Sequence, residues 1–256
     1  MGNRGGTRAV KRYAAPSEWP VLRKGYKWTV KPAPGPHAES DCLPLLLVLR
    51  DLLKLVQNTH ELEAVIHEGK VAVNGRPATG PDQGVGVMDI LSLPQNEMYY
   101  RILPSSHSYV AQPINWREEN FRLLRLEDRT SVAGGKMQFN LSGGVNILLS
   151  DQEAASVKAA TLDTLLTDEK GLKIKDHIQL AQDSYVLVVK GRNRGEHGKL
   201  AAVVPSFKRR DSLVRIKTNY GETIETVLNY VYAIGKSSPN IALPNESEVI
   251  QTAKSG

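Results

Sequence analysis

The sequence predicts an α+β, multidomain fold: a basic arm, a small module of two helices and a sheet, a mostly β middle, and a small C-terminal barrel. Three observations carry that prediction. Helical apolar spacing is confined to residues 45–67, short alternating strand-like runs recur from residue 70 to 234, and the first forty residues are dense in Pro, Gly and cations. At 256 residues, the length accommodates two or more small domains. Apolar residues make up 41% but aromatics only 6%, so each core should be small and aliphatic.

The N-terminal segment, residues 1–41, reads as an extended arm. Pro16, Pro20, Pro32, Pro34, Gly35 and Pro36 deny it regular structure. Tyr13, Trp19, Tyr26 and Trp28 alternate with Arg4, Arg8, Lys11, Arg12, Arg23, Lys24, Lys27 and Lys31. Cations for phosphates and flat rings for bases are what a nucleic-acid-binding arm needs. The competing reading is a tail whose rings cover its own globular part.

Residues 42–93 form the next module. Asp41 can cap a first helix, Pro44 suits its first turn, and Leu45, Leu46, Leu49, Leu52, Leu53 and Val56 follow helical spacing. Thr59 can cap a second helix with Leu62, Val65 and Ile66 as its buried stripe, ended by Gly69. Lys70 to Val73 and Met88 to Leu93 read as strands, and Asn74-Gly75 is the strongest short hairpin signal. From 94 to 180 a mostly β domain is expected, with strands at 99–103, 136–141, 145–149 and 174–180, and 151–160 as helix or loop. No internal repeat is evident.

Residues 181–240 hold strands at 185–189, 200–204, 213–217 and 230–234, a spacing that suggests a small barrel, before a tail at 241–256. Between the first two lies Lys190-Gly191-Arg192-Asn193-Arg194-Gly195-Glu196-His197-Gly198-Lys199. A dinucleotide loop would lead into a helix, whereas this one leads into a strand. Its glycines therefore read as turn residues that bring backbone close to a ligand, with Lys190, Arg192, Arg194 and Lys199 as cations at the tip. A flexible exposed hairpin is the alternative.

Charge follows the same organisation. The net charge is +6, but residues 1–31 and 190–217 each carry +7, leaving −8 for the rest. Two separated positive blocks favour polyanion contact. Catalytic patterns are absent: no zinc-binding set, phosphate-binding Walker loop, Rossmann glycines or nucleophile elbow. His60 and His67 lack a third ligand, and the single Cys42 begins an apolar segment and reads as core. No cofactor, metal or small-molecule substrate is expected. The longest apolar run, 43–49, is far short of the about 20 residues a membrane helix needs. No membrane partner is expected, and the single cysteine suits the cytoplasm.

The stretch Lys190 to Leu200 resembles the KOW motif of SH3-like barrels, and residues 42–93 resemble the α-L RNA-binding fold. Arg12-Tyr13-Ala14-Ala15-Pro16, Trp19-Pro20, Arg23-Lys24-Gly25, Lys27-Trp28 and Pro34-Gly35-Pro36-His37 are similar to the arm of one family. Lys173 to Ile178 and Ile234-Gly235-Lys236 extend the likeness. Together they resemble, in order and over essentially the whole chain, the ribosomal protein S4e family of the archaeal and eukaryotic small subunit. The resemblance implies a non-enzymatic component that binds ribosomal RNA through arm, α-L module and KOW barrel, beside neighbouring ribosomal proteins and without homo-oligomerising. It adds His37, Asn193 and His197, and on the α-L module Lys54, Lys70 and Arg76, to the candidate RNA-binding residues. One departure stands out: Ser142-Gly143-Gly144-Val145-Asn146 replaces the family's His-Asp-Gly-Arg-Asn, losing a cation. Rival readings are an RNA-modifying enzyme, which would need a catalytic domain the middle residues do not show, and a transcription elongation factor.

Overall fold

The computed structural model describes residues 9–22 and 24–244. Within that span the chain is dominated by antiparallel strands, arranged as three five-stranded sheets and two small ribbons.

The arm is less free than its composition predicts. Strands β1 (Ala9–Lys11) and β2 (Trp28–Val30) pair, with Lys11 opposite Trp28. Trp19, between them, is buried among the leucines of the next module, and its indole N–H donates to the Cys42 carbonyl at 3.0 Å. Ser108 Oγ donates to the Glu18 carbonyl at 2.9 Å, and the Ala33 amide to the Asp82 carbonyl at 2.7 Å. One ring of the arm is thus core, which corrects the expectation of a wholly extended segment. Burial of the large indole, together with the backbone bonds at Glu18 and Ala33, offsets the chain entropy lost in ordering the strap.

Strand β3 (Cys42–Pro44) precedes helix α1 (Leu45–Leu47), which widens into a π turn over Val48–Leu52. The helix expected here ends at Leu52, short of Val56, and is not amphipathic. Residues 45–49 are all buried, so the segment is enclosed on every side rather than striped. Asp41 is no cap; Pro44 holds that position in an extended conformation. Helix α2 (Thr59–His67) is capped one residue earlier than expected: Asn58 Oδ1 accepts from the Glu61 amide at 2.9 Å, and the Glu61 carboxylate accepts from the Gln57 amide at 2.7 Å. Strands β4 (Ala72–Val73) and β5 (Arg76–Pro77) flank Asn74-Gly75, whose φ angles of 53° and 67° are those the hairpin signal demands.

Strand β6 (Gly84–Gly86) pairs with β3, while β7 (Ile90–Leu93), β8 (Met98–Pro104) and β9 (Tyr109–Ile114) complete a sheet of order β5-β4-β7-β8-β9. Strand pairing therefore runs straight across position 93–94, where a module boundary was expected. Helix α3 (Trp116–Glu119) leads into a second sheet of order β12-β11-β10-β13-β14: β10 (Phe121–Val132), β11 (Lys136–Leu141), β12 (Val145–Ser150), β13 (Thr164–Asp168) and β14 (Ile174–Ile178). Helix α4 (Asp151–Val157) settles the ambiguous stretch: Ser150 and Glu153 form a reciprocal capping box. The third sheet, β18-β17-β16-β15-β19, comprises β15 (Tyr185–Val188), β16 (His197–Val204), β17 (Leu213–Thr218), β18 (Thr223–Val227) and β19 (Val231–Gly235). Its core, with Val186, Leu200 and Ile234, also takes in Met88, Leu103, Leu123 and Leu162, so it is welded to both other sheets.

One turn device recurs three times without any repeat in the sequence. Turns at 86–89, 160–163 and 181–184 close with amide–carbonyl bonds of 3.3, 3.1 and 3.2 Å, and each puts a non-glycine residue at positive φ: Met88, Leu162 and Asp183. The next residue, Asp89, Asp163 or Ser184, bonds back to the first residue of its turn through its side chain. A pair of backbone bonds then ties each turn to a neighbouring strand, at Ile102, Leu126 and Leu200. The left-handed positions are occupied by Met, Leu and Asp, so no common residue type marks them.

Candidate nucleic-acid interface

The arm presents an exposed ribbon. Lys11, Lys24 and Lys27 stand in solvent, Tyr13 and Tyr26 are open, and Trp28 is half exposed with Lys11 Nζ and Lys27 Nζ 5.9 and 5.8 Å from its ring centroid. Arg12 is partly drawn in, donating to the Tyr26 carbonyl at 3.0 Å. Lys31 pairs with Glu39 at 3.1 Å. Arg4, Arg8 and Arg23 lie outside the described residues.

Two expected contacts of the arm are turned inward. Trp19 is core. His37 Nε2 lies 2.7 Å from Asp89 Oδ2, with only 12% of its side chain exposed. Asp89 also accepts from the Gly86 amide and Asn74 Nδ2, both at 2.8 Å, and faces Arg122 at 3.4 Å. Burial opposes charge on His37, but the carboxylate outweighs it and raises the imidazole pKa; burial likewise opposes ionised Asp89, yet His37, Arg122 and the Gly86 amide hold its carboxyl below the usual value. This is a clamp for the end of the arm. Pro36 beside it packs where a Cβ on Gly144 would meet it at 2.8 Å, so this glycine, which the departure at 142–146 leaves unchanged, seats the arm.

On the module with two helices, Lys54 and Arg76 are exposed, with no ion pair among the described residues, while Lys70 pairs with Glu68. Lys54 takes φ 55° at the close of the π turn, where glycine is the commoner choice.

The 190–199 hairpin divides its cations. Arg192 is exposed. Lys190 Nζ reaches Asp41 Oδ2 at 2.6 Å, which pins the hairpin to the arm. Asn193 Nδ2 donates to the Glu225 carbonyl at 3.1 Å, and half-buried His197 lies against the Tyr185 ring at 6.0 Å. Arg194 is only 4% exposed; it pairs with Glu18 and its guanidinium sits 4.2 Å over the Tyr109 ring. The expectation of four outward cations is thereby corrected, because Arg194 is buried over Tyr109 and holds the partly exposed Glu18 of the arm. Gly195, at φ 88°, approaches Ser105 so closely that a Cβ would meet its Cα at 2.9 Å. The close approach expected of this loop is thus to its own chain, not a ligand. Lys199 lies on the outer face of β16, directly opposite Lys217, which the motif had not singled out but strand alternation in 213–217 could have.

A cavity of about 470 Å³ lies where arm, middle and C-terminal sheet meet. Glu18, Asp41 and Glu127 line it together with His37, Arg125 and Lys190. Acid and base are balanced there, so it lacks the charge of a phosphate site. Cys42 beside it is buried, and burial pushes its thiol to about 11, far from a nucleophile's range. Among the described residues no group of three or more His, Cys, Asp or Glu side chains could hold a metal ion, and no helix is long and apolar enough to cross a membrane. The internal arginines were not legible in sequence: Arg101, 1% exposed, donates to the Glu118 carbonyl at 3.1 Å, and burial lowers its pKa to about 10.

Comparison with known proteins gives this geometry its context. Residues 4–40 match the model of the RS4NT domain, and residues 96–180 that of the ribosomal family S4e. A relative named "Small ribosomal subunit protein eS4" from Methanothermobacter thermautotrophicus is 36% identical over 92% of this chain and 95% of its own length. Its namesake from Aeropyrum pernix is 37% identical over 95% and 98%. The crystal structure of the 30S ribosomal protein S4e from Thermoplasma acidophilum matches the fold with a TM-score of 0.62 at 20% identity, covering 77% of this chain and 96% of that one. With more than a third of its residues shared along nearly its full length, the chain belongs to the ribosomal S4e family.

Proposed function

We propose that this protein is a structural constituent of the small ribosomal subunit, binding ribosomal RNA in support of translation. The observation that carries the reading is near end-to-end similarity to relatives named as small-subunit proteins. The charge distribution agrees with it: two +7 blocks set against an acidic remainder. The role has no turnover. Cations offset phosphate repulsion while rigid modules set local shape, at a cytoplasmic ribosome and beside other ribosomal proteins.

In this reading the exposed ribbon of the arm, the α-L-like module at 42–93 and the KOW-type barrel at 181–240 are the RNA-binding parts, with Lys11, Lys24, Lys27, Trp28, Lys54, Arg76 and Arg192 as outward contacts. The middle, 94–180, joins them. Support comes from their exposure and from the Asn74-Gly75 hairpin and the strand–loop–strand setting of 190–199. Sedimentation of a cell extract tests the role. The protein should travel with small subunits and be released by high salt; a protein free at the top of the gradient, or travelling with RNA polymerase, would refute it.

A further inference from the structure

We propose that the outer face of the β16–β17 ribbon, with the turn joining its strands, forms an additional RNA contact in which Phe207 stacks on an unpaired base and Lys208, Arg209, Lys199 and Lys217 meet the flanking phosphates. The inference rests on the RNA-binding role proposed above. On the core side of this ribbon Leu200, Val214 and Ile216 are buried, so its structure is secured from behind. On the other side the register sets Lys199 directly against Lys217. Like charges opposite one another destabilise a sheet unless an anion joins them, and neither lysine has an ion pair among the described residues.

The turn adds the ring. Phe139 is fully buried and Phe121 packs against the C-terminal core, whereas Phe207 stands entirely in solvent. Its setting is fixed at the base: the Ser206 amide donates to Ser212 Oγ at 3.1 Å, and the Ser212 carbonyl accepts from the Leu228 amide at 2.7 Å. Arg210 turns back and donates to the Glu127 carbonyl, tying the turn to β10. A held turn carrying a bare ring beside two cations matches the stacking-plus-phosphate pattern by which unpaired nucleotides are bound. Lys199, Lys208, Arg209, Arg215 and Lys217 outnumber Asp211, Glu222 and Glu225, the last already paired with Arg215 at 2.6 Å, so the face is net positive and suits a polyanion better than a protein surface of mixed charge. Asn193 joins the Arg192 hairpin to β18 of the same sheet.

The test is filter binding of the full-length protein to transcribed small-subunit rRNA across a salt series. Phe207→Ala should bind about tenfold more weakly at unchanged salt slope and unchanged melting temperature, and Phe207→Trp should restore affinity with quenched indole fluorescence on RNA addition. Lys208→Gln with Arg209→Gln should lower the slope of log K against log salt by roughly 1 to 2. If wild type binds and these variants match it, the contact is wrong and the general role stands. Variants that bind RNA normally yet fail to enter the subunit would assign the face to a protein and also overturn it. A wild type that does not bind rRNA removes the role itself and this contact with it.

Discussion

His37 illustrates how a residue expected to face RNA is spent on the protein's own architecture. Its ring closes the arm onto Asp89, at the hub that Asn74, Gly86 and Arg122 also serve. Because the folded pKa of His37 is raised, its pairing with Asp89 stabilises fully below the unfolded value of 6.5 and is lost as pH climbs through the raised one. Asp89 is lowered, so its share is present above its unfolded value of 3.8 and fades only as pH falls through the lower folded one. The melting-temperature gap between wild type and His37→Gln should therefore be widest between those two unfolded values and narrow toward alkaline pH. A gap that stays constant from pH 5 to 9 would show that the pair does not titrate as the geometry requires. Nothing in the local sequence marks His37 as internal, since its partner is 52 residues away.

At the scale of elements, the 190–199 hairpin separates two arginines that look equivalent in sequence. Arg192 is exposed, and Arg192→Ala should weaken RNA binding while leaving the melting temperature within about 1–2 °C, as surface substitutions do. Arg194 is buried over Tyr109, so Arg194→Ala should cost about 2–4 kcal/mol by opening a gap and removing the cation–π contact, the half-exposed Glu18 being left to water. Thermal melts of the two single variants decide this, and equal melting temperatures would contradict it. The thrice-used turn makes a related point. Its hydrogen bonds are local, yet the positive φ at Met88 and Leu162 is held by burial and by strand bonds to Ile102 and Leu126. Asn74-Gly75 was readable because both residues favour that backbone intrinsically; Met88 and Leu162 do not.

For the whole molecule, arm and body are one unit among the described residues, which changes how the arm is tested. Deleting residues 1–36 removes Trp19 from the core as well as the cations, so it should lower stability by several kcal/mol, the scale of a large core truncation. Replacing Lys11, Lys24 and Lys27 together by Gln keeps Trp19 in place. That variant should fold with a wild-type melting temperature and lower the salt slope of rRNA binding by roughly 2 to 3. An unchanged slope would remove the exposed ribbon from the binding surface.

Residue order alone is enough to read the class of the protein and the sign of its surface. Cations, glycines at turns and strand alternation are local properties, so the two basic blocks, the Asn74-Gly75 hairpin, helix α2 and most strands of the last sheet were legible. Which of those side chains face water is settled by packing in the folded chain. Trp19, His37 and Arg194 belong to the interior because partners at Cys42, Asp89, Glu18 and Tyr109 fold up against them, and burial depends on the whole path of the chain. A side chain's chemistry is written where it stands; its exposure is set by everything that packs around it.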